Sequence, residues 1–208
     1  MNQVGIWLSG AVNNMIGNRM SNSFNGMLVD VGHAGNGLGP ATDLTCVWGE
    51  RLGHWEGNTF HSHGRFGTYG LGNLFPKKEV GERQTLATGG TFPSSDDRKA
   101  VCDNGNGDFA ADGYDAGWSH AIKNNFDWKN TFVGHYGTGD IQYLNHVSID
   151  NGNLIYWKTS KSFADGCSAL FKDGYYSKGN MALPDDGTFL FENVVTDGPV
   201  TLEANHHW

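Results

Sequence analysis

Between Cys46 and His63 the chain gathers one cysteine, two glutamates and three histidines, side chains that bind metals and move protons. His61 and His63 form an H-x-H pair, which on a strand sends both rings to one face, and His54, Glu56 or Cys46 could complete a zinc shell. H-x-H also arises often by chance, and aromatic-rich surfaces use histidine for hydrogen bonding, so the structural reading of the pair is preferred. A second oxygen-rich group lies at Asp103, Asn104, Asn106 and Asp108, with Asp112 and Asp115 in reach. It fails the EF-hand pattern, since Gly105 stands where an oxygen ligand is required, and Asn-Gly and Asp-Gly are ordinary turn pairs. No cofactor is expected; calcium at Asp103 and Asp108, or zinc at His61 and His63, are the ions the sequence offers.

Glu50 and Glu56 stand beside Trp48 and Trp55, residue types a glycan hydrolase would use as its carboxylate pair and sugar-stacking platform. No G-x-S-x-G, H-E-x-x-H or G-x-x-x-x-G-K-[ST] motif occurs, and no local signature surrounds any cysteine. No catalytic residue is assigned and an enzyme is not the expected class. The same aromatics, Trp48, Trp55, Phe60, Phe66 and Tyr69, suit either an interface between proteins or the stacking of a sugar ring.

The stretch from Cys46 to Phe75 that carries these residues holds two Trp, four further aromatics and seven Gly. Across the chain, 31 Gly and 20 Asn supply positive-φ positions, so many turns and no long helices are expected. The expected fold is all-β, a sandwich or jelly-roll-like arrangement of short antiparallel strands with long glycine- and asparagine-rich loops. Ile141, Tyr143, Val147 and Ile149 share one face of a candidate strand, with His146 and Ser148 opposite. Asp150-Asn151-Gly152-Asn153 then predicts a type I′ hairpin into LIYWKT, and Thr196-Asp197-Gly198 a second one closing the chain. Residues 1–208 read as one domain, with 76–100 a polar excursion or lobe boundary and the first thirty residues ambiguous between helix, strand and docking arm. The sequence shows no convincing internal repeat.

The net charge of -8 is carried by the second half, where residues 101–208 hold six basic and fourteen acidic groups. No basic stripe would attract a nucleic-acid backbone. Cys46, Cys102 and Cys167 are widely spaced and lack C-x-x-C, which predicts buried free thiols, with one disulfide and a leftover cysteine as the alternative. The N-terminus has no secretory pattern and no segment approaches a membrane span. A composition typical of displayed proteins, without an export signal, points to a particle-surface subunit made in a cytoplasm, such as a phage or virus decoration, fibre or coat-associated protein. Its expected partners are copies of itself, with a trimer favoured, and a capsid or tail protein. A carbohydrate- or receptor-binding module is the alternative, and a glycan hydrolase using Glu50 or Glu56 the second.

Overall fold

The structure, a computed structural model, describes residues 3–8, 13–30, 52–71, 120–138, 141–158, 168–184 and 188–203. Every element among them is a strand, and the strands form three sheets in which all pairing is parallel. Sheet A contains β1 (Val4–Leu8), β4 (Asn25–Asp30), β7 (Phe66–Leu71), β10 (Val133–Thr138), β13 (Asn153–Lys158), β16 (Asn180–Pro184) and β19 (Val200–Glu203). Sheet B contains β2 (Met15–Ile16), β5 (Trp55–Glu56), β8 (His120–Lys123), β11 (Ile141–Leu144), β14 (Ser168–Lys172) and β17 (Thr188–Glu192). Sheet C contains β3 (Arg19–Ser21), β6 (Thr59–His61), β9 (Phe126–Trp128), β12 (Val147–Ile149), β15 (Tyr175–Ser177) and β18 (Val195–Thr196). The chain visits B, then C, then A, six times over, so each strand pairs with strands one coil before and one coil after. This is a parallel β-solenoid.

The sandwich or jelly-roll of antiparallel strands is thereby overturned. Both expected hairpins are corners: β12 pairs with β9 and β15, and β13 with β10 and β16, never with each other. A type I′ turn needs positive φ at both central residues, here Asn151 and Gly152, and neither has it; the left-handed residue is Asp150, at 57°. One left-handed residue redirects the chain into the next sheet instead of reversing it.

The repeat escaped the sequence because coil length varies. Every connection from sheet B to sheet C has two residues, and every one from C to A has two to four. From A to B it ranges from two residues, between Thr138 and Ile141, to the interval between Leu71 and His120. Residues 31–51, 72–119 and 159–167 all fall in A-to-B connections, and the 76–100 excursion with them lies outside the described residues.

Within the short arc the spacing is constant. Positive-φ residues occur in pairs five apart, at Gly17 and Asn22, Gly57 and Ser62, Asn124 and Lys129, Asn145 and Asp150, and Asp173 and Lys178. Glycine, asparagine and aspartate dominate because they tolerate this conformation most readily. Stacking these arcs builds the interior in columns. Met15, Trp55, Ile122, Tyr143, Phe171 and Phe191 are in register in sheet B. Met20, Phe60, Asp127, Ser148, Tyr176 and Thr196 are in register in sheet C. The core between them includes Trp55, Phe60, Tyr143, Trp157 and Phe171, all at most 2% exposed.

Candidate functional site

Two corner ladders hold the coils in register. At the B-to-C corner, Asn58 Oδ1 accepts from the backbone N–H of Asn18 at 3.0 Å, and Asn125 Oδ1 accepts from that of Asn58 at 2.9 Å. His146 occupies the same corner place in the next coil, directly after left-handed Asn145. At the C-to-A corner the N–H of Ser23 donates to His63 Nδ1, that of His63 to Asn130 Oδ1, and that of Asn130 to Asn151 Oδ1. Each side chain takes the amide of the coil before it, and so satisfies corner donors that a parallel ladder leaves unpaired.

His146 and two inward residues of the preceding coil form a closed polar cluster. Asp127 lies mid-strand in β9, His135 is the third residue of β10, and Asp127 Oδ2 is 2.7 Å from His146 Nε2. One ligand-capable atom from each of Asp127, His135 and His146 lies within 4.8 Å of the others. Around them stand Tyr143, with ring centroids 5.2 Å from His135 and 5.5 Å from His146, and Tyr176, 5.7 Å from His146. All five residues are 0–1% exposed. Asp127 Oδ1, His135 Nδ1, His146 Nδ1, Tyr143 Oη and Tyr176 Oη have no hydrogen-bond partner.

The electrostatics follow from burial. Loss of water pushes the Asp127 carboxyl up, opposed by the hydrogen bond with His146, and holds His135 well below the usual imidazole value. The same cause raises Tyr143 and Tyr176, so both phenols stay protonated. Closed to solvent, the cluster has no route to a bulk substrate. Its available chemistry is the holding of an ion or a proton within the fold.

The outer faces differ. On sheet C, Phe126, Val147, Tyr175 and Val195 form one row and His61, Trp128 and Ile149 another across adjacent strands. His61 stacks on Trp128 at 4.0 Å and 9°. Tyr175 and Val195 are 41% and 57% exposed. Among the described outward residues of this sheet only Arg19 carries charge. On sheet A, Tyr69, Tyr136 and Tyr156 are in register, with centroids 5.0 and 5.4 Å apart, and the Arg65 guanidinium lies 4.7 Å above Phe66.

The residues singled out in the sequence are dispersed by this fold. Trp55 and Phe60 are interior column residues, Phe66 is buried in the outer aromatic cluster of sheet A, and Tyr69 is half-buried on that face. His61 and His63 part company: His61 faces outward, whereas His63 sits 1% exposed in the C-to-A ladder, its Nε2–H donating to the Met20 carbonyl at 3.1 Å. Glu56 is exposed on sheet B, where it accepts from Asn124 Nδ2 at 3.0 Å. Trp48, Glu50, Asp103, Asp108 and the three cysteines lie outside the described residues. Sequence reasoning passed over Asp127, His135 and His146, which are 8 and 11 residues apart and share no motif; only the coil register joins them.

No family model, no curated protein and no solved structure matches the chain. Among the described residues no helix is long and apolar enough to cross a membrane.

Proposed function

We propose that the protein is a structural subunit of a particle surface, a solenoid module that assembles with copies of itself through the outer face of sheet C. The observation that carries this reading is the row of Phe126, Trp128, Val147, Ile149, Tyr175 and Val195 on one face of parallel strands. Contiguous apolar surface of this kind belongs at interfaces, where aromatic residues serve as anchors. Copies with a net charge of -8 repel one another, and a face with so little charge is where close approach costs least. Topology supports the same division of labour. Sheet C is bordered by the two short corners, and the A-to-B corner, where all the long connections leave, is the one it does not border. One side of the solenoid is free to dock while the other carries variable segments, as a decoration or fibre subunit on a capsid or tail would require.

Light scattering on the purified chain tests this. The expected result is a discrete oligomer that becomes monomeric, with unchanged circular dichroism, when Trp128 and Tyr175 are both changed to serine. A monomeric wild-type chain overturns the proposal.

A second reading, glycan binding, is favoured by one observation: the in-register tyrosines of sheet A with Arg65 beside them. Binding on a glycan array that is lost in Tyr136→Ala would select it over self-assembly. A glycan hydrolase draws no support from the geometry of Glu56, which shares its face with Lys123 in register and no second carboxylate among the described residues of β5 and β8.

A further inference from the structure

We propose that Asp127, His135 and His146 form a buried binding site for a divalent transition-metal ion of the zinc class, tying the third coil of the solenoid to the fourth. The site is independent of the assembly face, being enclosed between the sheets.

Buried polar atoms in native proteins are almost always paired, and each one left unpaired costs about 1–3 kcal/mol. Five such atoms belong to this cluster: Asp127 Oδ1, His135 Nδ1, His146 Nδ1, Tyr143 Oη and Tyr176 Oη. The four rings among them pack edge-on or tilted against one another, with centroids 5.2–6.0 Å apart. A positive ion satisfies a carboxylate and two imidazole lone pairs together. Two imidazoles and a carboxylate are the donor set of zinc and neighbouring metals, whereas calcium and magnesium call for oxygen throughout.

Ligand atoms about 2.0–2.1 Å from a tetrahedral metal lie about 3.3–3.4 Å apart, so atoms within 4.8 Å of one another enclose an ion by drawing in by up to about 1.5 Å. Asp127 Oδ2 and His146 Nε2, 2.7 Å apart, are the facing pair between which the ion would stand in place of the shared proton. Tyr143 and Tyr176 stand beside the two imidazoles and wall the cluster. Space for the Tyr143 hydroxyl exists because residue 137 is glycine: a Cβ there would lie 2.7 Å from it.

The substitutions that test the site are written in the fold itself. His146 stands where earlier coils have Asn18, Asn58 and Asn125, His135 is in register with Thr68, and Asp127 with Ser148. His146→Asn, His135→Thr and Asp127→Ser therefore remove ligands while restoring residues that neighbouring coils already accommodate. Because the site is closed, the full chain is unfolded in denaturant with chelator and refolded with Zn2+, Co2+ or Ca2+, then desalted and subjected to elemental analysis.

The expected result is one zinc or cobalt per chain, cobalt in visible ligand-field bands of a low-coordinate nitrogen and oxygen site, no calcium, and a higher Tm with zinc. Each variant, checked for native circular dichroism, should weaken retention by more than the roughly ten- to hundredfold that loss of an outer-shell partner costs. Refolded wild-type protein without stoichiometric zinc or cobalt overturns the proposal. So does metal retained equally by all three folded variants, which would place it at exposed histidines such as His61.

Discussion

The sharpest constraints are felt at single residues, and the glycines separate into two kinds. Gly67 lies in sheet A between Gly26 and Gly134, and a Cβ on it would stand 2.5 Å from the Gly134 carbonyl and 2.8 Å from Asp127 Oδ1. Neither can retreat, since one is backbone and the other is held by His146. Gly17 has φ +67° but nothing within 4 Å of a Cβ. Gly67→Ala is expected to cost about 3 kcal/mol or more through overpacking, and Gly17→Ala about 1–2 kcal/mol through backbone strain alone. Urea denaturation of the two variants measures the difference; equal losses would mean that the stacked glycines are not sterically required. The abundance of glycine was plain in the sequence, but which glycines are irreplaceable depends on the neighbouring coil.

At the scale of elements, the corner ladders make the solenoid sensitive to acid. His63 takes the place that asparagine fills in the following coils, and its Nδ1 must be unprotonated to accept the Ser23 amide. Burial holds its pKa below the usual 6.5, opposed by the backbone hydrogen bonds with Ser23 and Met20 and by Asp127, with His61 acting in the same direction as burial. The folded chain therefore binds fewer protons than the unfolded one as pH falls below about 6.5, and stability is lost there and retained above. His63→Asn should remove this component, so that wild type and variant diverge only on the acidic side in thermal melts across pH. Parallel curves would contradict it. The elements also explain an error in reading the sequence. Ile141, Tyr143, Val147 and Ile149 look like one face of one strand, yet Ile141 and Tyr143 point inward, whereas Val147 and Ile149 point outward. The corner at Asn145 and His146 reverses the facing without breaking the alternation, which is why two buried polar residues, His146 and Ser148, read as the wet side. The strands themselves were legible from their apolar alternation; their pairing was not, since parallel partners lie 19 or more residues away.

For the whole molecule, a solenoid's stability is a sum over neighbouring coils, and its ends are weaker than its middle. The central columns are sealed, with Ile122, Tyr143 and Phe171 at 0% exposure. In the last coil Phe191, which continues the column of Phe171, is only partly buried, and Leu202, which continues that of Leu183, is 57% exposed. Amide exchange should be slowest in β8, β11 and β14 and fastest in β17, β18 and β19; uniform protection would show instead that the molecule opens as a single unit. The all-β class and the turn-rich character were open to sequence reading, while the parallel winding was hidden by A-to-B connections of unequal length. Those same lengths, set against the fixed interval of five between left-handed residues, divide the chain by its tolerance of insertion and deletion. The short arc behaves like a reading frame: one residue gained or lost between Asn124 and Lys129 would turn Phe126 and Trp128 inward and Asp127 out, and every later contact of that coil would shift with them. At the A-to-B corner added chain leaves the frame intact, so lineages of this protein should diverge in length there and keep the arc at constant length.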